Sequence, residues 1–167
     1  QEYFNIPMKF KTKNTTVSIP FKGKLRELQQ NIMKEVLQKI KQTKGGMVSL
    51  PCGFGKTVCA LYLASKLKKK TLVIVHKSFL MNQWKERIEQ FIGCKVGQIQ
   101  QDKVEIEDCD IVIGMLQSIS KDKYTEKLFS NFGLVIFDEA HHAPSRYFSK
   151  ALPIISTEYM LALSATP

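Results

Sequence analysis

Two short stretches carry residues that could do chemistry together. The first is Leu50-Pro51-Cys52-Gly53-Phe54-Gly55-Lys56-Thr57. Gly53 and Gly55, with Phe54 between them, allow a tight turn that brings backbone N–H groups toward phosphate oxygens. Lys56 can reach the terminal phosphates and Thr57 can offer its hydroxyl to Mg²⁺. A helix starting here adds its positive end. The second stretch is Asp138-Glu139, directly after the apolar run Leu134-Val135-Ile136-Phe137. Two acids at the end of a buried strand are costly unless they meet a cation or hydrogen-bond donors. Asp138 can hold Mg²⁺ through its water shell, and Glu139 can orient and deprotonate an attacking water. Each stretch alone has a plainer reading: a Gly-rich turn with a chance lysine, or an acid pair at a helix N-terminus. Together, in a βα setting, they point to hydrolysis of a nucleoside triphosphate. A P-loop kinase fits less well, because Glu139 next to the Mg²⁺ acid suits attack by water.

His141 and His142 follow the acids. A metal role would need further ligands, and none stands near in the sequence, so a hydrogen-bonding or switch role is the reading. The four cysteines are Cys52, Cys59, Cys94 and Cys109. None forms a C-x-x-C pair, which argues against zinc and suits reduced thiols in an intracellular protein. Cys52 reads as a small loop residue, or as a thiol activated by the helix that follows it.

The elements that must position these groups follow from hydropathy. Leu25, Leu28, Ile32, Met33, Val36, Leu37 and Ile40 recur at three and four, which predicts a helix from Leu25 to Lys41, closed by Gly45-Gly46. Strands are expected at 47–50, 71–75, 95–99, 110–114, 134–137 and 159–164, with helices at 56–69 and 79–91. Continuous apolar strands alternating with helices imply an α/β fold whose mostly parallel sheet is covered on both faces. Ligands of such sheets sit at the carboxyl ends of strands, where both stretches fall. Leu50 then ends a strand and packs into the sheet, while Pro51 pre-sets part of the turn. Residues 1–21 alternate polar and apolar around Pro7 and Pro20, as short extended segments or a hairpin would. The expected organisation is an extended segment, 1–24, leading into one domain, 25–167.

Bulk properties agree with one domain: 167 residues, 44% hydrophobic and 24% charged. No apolar run approaches the roughly 18 residues of a membrane span, and the N-terminus is not expected to be a signal peptide. The chain begins without Met and stops at Ser-Ala-Thr-Pro, so a piece of a longer protein is expected. A net charge of +10 suits a polyanionic partner such as nucleic acid, though a basic surface also serves solubility alone. Arginine occurs only at 26, 87 and 146, and lysine-dominated charge suits phosphate contact more than base reading. The run Lys66 to Lys70 reads as a solvated helix end.

The string DEAH at 138–141, with GFGKT upstream and Ser164-Ala165-Thr166 downstream, resembles superfamily 2 helicases and translocases over nearly the whole chain. The resemblance is to their first RecA-like domain and implies that three-layer fold, with ATP and Mg²⁺ bound. It gives Lys56, Asp138, Glu139 and His141 catalytic roles and Gly53, Phe54, Gly55, Lys56 and Thr57 nucleotide contacts, with Thr57 and Asp138 on the metal. Gln29, in Leu25-Arg26-Glu27-Leu28-Gln29, resembles the family's adenine-recognising glutamine. Lys77 and Ser78, Gly97, and Gln117 with Ser118 match motifs that grip a nucleic-acid backbone. Ser164 and Thr166 match a motif that couples hydrolysis to movement. Plainer readings stand beside these: Trp84 as core rather than a stacking platform, Gln117 and Ser118 as a helix start, Gln29 as a surface residue.

DEAHHAP and the Asn82-Gln83-Trp84 string resemble the group holding type III restriction motors, the XPB repair helicase, phage UvsW and poxvirus-type transcript-release helicases. DEAD-box RNA helicases are less similar, because His141 stands where they carry Asp. The resemblance implies a DNA partner rather than RNA. It also implies an arginine supplied by a second RecA-like domain, since phosphoryl transfer needs charge neutralised near the γ-phosphate. The competing readings are a nucleic-acid-binding module with a vestigial site and the motor of a restriction enzyme. The expected location is inside the cell, in the cytoplasm or nucleus of a host, with virion association; the lysine-rich composition leans toward a large DNA virus.

Overall fold

The computed structural model describes residues 16–121, 123–155 and 157–166. Seven strands form one sheet in the order β1-β7-β6-β2-β5-β3-β4. They are β1 (Gly45–Pro51), β2 (Thr71–Val75), β3 (Val96–Gln100), β4 (Lys103–Glu105), β5 (Ile111–Met115), β6 (Leu134–Asp138) and β7 (Tyr159–Thr166). All pairings are parallel except that of β3 with β4. This is the RecA-like α/β arrangement.

Side-chain alternation divides the core into two layers. Val73, Val75, Ile111, Ile113, Leu134, Ile136, Leu161 and Leu163 point to one face. There they meet the long helices α1 (Glu27–Thr43), α2 (Lys56–Leu67) and α3 (Ser78–Phe91) through Met33, Leu61, Leu63, Trp84 and Ile88. Leu72, Ile74, Val112, Val135, Phe137, Met160 and Ala162 point to the other face. Short helices cover that face: α4 (Leu116–Ile119), α5 (Glu126–Phe129) and α6 (Ser145–Ala151). The central strand segments 72–75, 111–113 and 134–137 are therefore apolar throughout, as burial on both sides demands.

Three expectations change. Gly45 and Gly46 do not stop α1: Lys44 takes the left-handed cap conformation (φ 66°), and the glycines open β1. A Cβ on Gly45 would collide with the carbonyl oxygen of Met160 on the neighbouring strand, so the glycine serves close strand approach. Most of the expected N-terminal hairpin lies outside the described residues. Its described part, 16–24, holds no strand and makes one isolated antiparallel bridge, Thr16 to Lys69. Finally, β4 was not expected; it is a three-residue, exposed, antiparallel edge. Among the described residues, no helix is long and apolar enough to cross a membrane.

Candidate nucleotide site

The carboxyl ends of β1, β2, β5, β6 and β7 carry the predicted groups. After β1 the loop turns through Gly53 (φ 80°) and Gly55 (φ 85°), left-handed values that favour glycine. Leu50 is buried at the strand's end, and the Phe54 N–H donates to the Pro51 carbonyl at 3.1 Å, closing the turn. Helix α2 starts at Lys56, and Thr57 lies half-buried in its first turn.

Lys56 and the acids meet. Lys56 Nζ lies 3.0 Å from Asp138 Oδ1 and also pairs with Glu139 Oε1. Asp138 is buried at 4% exposure, at the end of β6. Glu139 takes a left-handed backbone (φ 51°) that swings it out of the strand direction and toward the loop. Asp138 has a second partner that sequence reading missed: Trp84 Nε1 donates to Asp138 Oδ2 at 2.8 Å, across the interior from α3. Trp84 is 1% exposed, so it is a core residue rather than a stacking platform.

Gln29 is buried, not a surface residue. Its Nε2 donates to the Phe54 carbonyl at 2.6 Å, and its Oε1 accepts from the Arg26 N–H at 2.8 Å. Arg26 Nη2 donates to the same Phe54 carbonyl at 3.0 Å. Arg26 thus braces the loop from the start of α1, a contact between distant parts of the chain that no local pattern signals. Arg146 is exposed and donates to the Tyr147 hydroxyl at 3.2 Å.

His141 Nδ1 and Ser164 Oγ lie 3.1 Å apart, joining the segment after β6 to β7. Thr166 continues β7. Burial, then His142 and Lys56, hold the His141 pKa below its ordinary value. Glu139, His141 and His142 also converge: the two Nε2 atoms lie 3.7 and 4.0 Å from Glu139 Oε2, close enough for three donors to share a cation. Glu139 stands two residues before His141 in the sequence, but there it reads as the base of the hydrolytic site rather than as a third ligand.

The remaining predicted contacts divide by exposure. Lys77 and Ser78 are exposed where α3 begins, with Lys77 Nζ 5.9 Å above the exposed Phe79 ring. Gln117 is half-buried, and its Nε2 donates to the His76 carbonyl at 2.8 Å, stitching the ends of β2 and β5 together. Gly97 and Ser118 are buried. A Cβ on Gly97 would meet the Glu105 carbonyl, and Ser118 Oγ accepts the Gln101 N–H at 2.8 Å, so both have partners inside the β3–β4 hairpin.

Residues 22–167 match the family described as type III restriction enzyme, res subunit. The chain belongs to that family. A putative ATP-dependent RNA helicase of Acanthamoeba polyphaga mimivirus is 38% identical over 145 residues, 87% of this chain and 28% of the relative. The DNA 3'-5' translocase XPB2 of Sulfurisphaera tokodaii is 35% identical over 161 residues, 92% of this chain and 34% of the relative. The chain thus spans about a third of the length of these curated relatives. The SWI2/SNF2 ATPase core of Sulfolobus solfataricus, solved in complex with dsDNA, superposes with a TM-score of 0.74 at 24% identity. That match covers 89% of this chain and 33% of the other, and establishes the shared fold. Relatives of this kind place the chain among superfamily 2 helicases and translocases.

Proposed function

We propose that this chain is the first motor domain of an ATP-dependent translocase that couples Mg-ATP hydrolysis to movement on nucleic acid, DNA rather than RNA. The observation that carries the reading is Lys56, at the head of α2, ion-paired with both Asp138 and Glu139 at the end of β6. A lysine held by two acids beside a glycine loop can exchange those carboxylates for phosphates.

The residues fit a magnesium nucleotide. Thr57 and Asp138 would hold the metal, which when bound neutralises charge on the terminal phosphates. Gly53 and Gly55 present backbone N–H groups, and Arg26 and Gln29 keep the loop in shape from behind. Lys56 turns from the acids to the phosphates. That frees Asp138 Oδ1 for the metal's water shell and Glu139 to orient and deprotonate a water. Ser164, on His141, reports the state of the acid-bearing segment to β7. Lys77 and Ser78 provide the exposed strand contact, and Gln117 supports it from the end of β5.

Residues 25–167 act as one RecA-like domain, with 1–24 as its lead-in, and a second such domain supplies the arginine for the γ-phosphate. Similarity to viral proteins supports a place inside an infected cell. The test compares ATPase rates of this domain and the full-length protein, with and without duplex DNA. The expected result is a slow domain and a DNA-stimulated full-length enzyme; equal, high rates from the domain alone overturn it. A restriction motor is the second reading, favoured by the family description, and nuclease activity of the full-length protein decides it.

A further inference from the structure

Trp84 is the only indole in the sequence, and it lies inside the molecule at 1% exposure. A buried indole N–H must find an acceptor, and it can only donate. The acceptor here is not a backbone carbonyl but Oδ2 of Asp138, at 2.8 Å. The other oxygen, Oδ1, lies 3.0 Å from Lys56 Nζ. The two carboxylate oxygens are therefore divided between two elements, one facing α3 and one facing the phosphate loop. An aspartate's terminal torsion is soft, so without the indole the carboxylate could turn about its own axis and present either oxygen.

Helix α3 begins at the exposed pair Lys77 and Ser78 and carries Trp84 about two turns further along the same rigid cylinder. We infer that the Trp84 indole is a positioning residue that transmits nucleic-acid engagement at the start of α3 to the orientation of Asp138. This rests on the hydrolytic reading of the site and adds the route by which the nucleic acid stimulates it. A shift of α3 along its axis changes the indole-to-carboxylate geometry directly, because both partners are buried and joined by one direct hydrogen bond. Groups around a metal-binding carboxylate set its aim, and their loss costs about 10–100-fold in metal affinity or activity.

The experiment uses the full-length protein and the variants Trp84→Phe and Ile88→Ala. Ile88 lies one turn further along α3, fully buried and away from the acids, so it reports packing damage alone. ATPase rate is measured against Mg²⁺ and ATP, with and without duplex DNA. Binding of Mn²⁺ with a non-hydrolysable ATP analogue is read separately by electron paramagnetic resonance, where Trp84→Phe should bind the metal more weakly. In Trp84→Phe, kcat with DNA is expected to fall about tenfold and the Mg²⁺ half-saturation to rise. The DNA stimulation ratio should fall toward one, while the ATP KM moves by less than about twofold. Ile88→Ala should keep the ratio and the Mg²⁺ dependence while losing thermal stability. Unchanged Mg²⁺ dependence and ratio in Trp84→Phe overturn the inference, as does the same loss in Ile88→Ala. If Trp84→Phe does not fold, benzothienylalanine at position 84 keeps the ring shape and deletes the N–H; the same outcomes then decide. A wild-type protein without ATPase activity overturns the hydrolytic reading itself, whereas an active wild type with an unaffected Trp84 variant overturns only the link.

Discussion

Gln29 Nε2 donates to the Phe54 carbonyl at 2.6 Å, so a side chain from the start of α1 holds the phosphate loop at a separation of 25 residues. Arg26 donates to the same oxygen at 3.0 Å, and its N–H anchors Gln29 Oε1 at 2.8 Å. The loop's shape therefore depends on two side chains outside it. Each such hydrogen bond contributes about 1 kcal/mol net. Gln29→Ala is expected to raise the ATP KM by about fivefold, with a smaller change in kcat. Because Arg26 shares the acceptor, the double variant with Arg26→Ala should fall short of additivity. Steady-state kinetics on the single and double variants of the full-length protein check both statements.

Lys56 is the shared cation of Asp138 and Glu139. Lys56→Ala should abolish turnover while the chain still folds. It should also cost stability, because Asp138 is left as a buried acid without its cation. Removing one partner of a fully buried pair costs about 3–5 kcal/mol, and the partial exposure of Lys56 puts this case at or below the lower end. Denaturant unfolding without nucleotide measures it. A second change, Asp138→Asn, should recover part of the loss.

Acid should destabilise the fold in a defined window. Burial first, then Lys77 and His142, hold the His76 pKa below its ordinary 6.5, against the opposing pull of Asp138. His141 is lowered as well, by burial, His142 and Lys56. Below about pH 6.5 the unfolded chain binds protons that the folded chain refuses. Stability is thus complete above that pH and is lost as pH falls toward the lowered folded-state values. Thermal unfolding between pH 7.5 and 5 should show this slope, and His76→Gln should make it shallower.

Thiol chemistry should sort the cysteines by burial. Cys52 is exposed in the phosphate loop, whereas burial raises the Cys59 thiol to about 11. Burial, then Asp110, also raises Cys94. Iodoacetamide at pH 8 should modify Cys52 first, Cys94 more slowly, and Cys59 only on unfolding. Mg-ATP should slow the reaction at Cys52. Peptide mapping by mass spectrometry reads the order.

Gly45→Ala tests the close approach of β1 to β7. A methyl group there meets the Met160 carbonyl, which belongs to a paired strand and cannot move freely. Overpacking of this kind costs about 1–3 kcal/mol. Gly46, where an added Cβ meets nothing, should tolerate the same change.

Much of this architecture could be read before any coordinates. The run 72–75 is apolar at every position because both faces of β2 are covered, so the strand was plain. The loop glycines and the acids at the end of β6 declared themselves by type and spacing. What stayed hidden has physical causes. Helices α4 and α5 have four residues each, less than the span over which a helical period can show. Strand β4 is exposed at all three positions, and its one apolar residue, Val104, is too little for an alternation to show. Gly45-Gly46 imitated a helix stop because glycine serves both a left-handed cap and a close strand contact, and only the structure assigns the first to Lys44. The braces on the loop and on Asp138 join residues 25 and 54 positions apart, where no local pattern reaches.

The place of β7 in the sheet has a consequence for how the molecule is made. Among the described residues, the phosphate-loop strand β1 pairs with β7 alone, and β7 also pairs with β6. A ribosome delivers β1 well before β7, and pairings so far apart in the chain form slowly. Until Tyr159–Thr166 has been synthesised, β1 has no strand partner among the described residues and the glycine loop hangs from an open strand edge. The nucleotide site is therefore finished only once β7 has joined the sheet. A nascent chain stalled before that step offers a bare edge to any extended peptide or chaperone within reach.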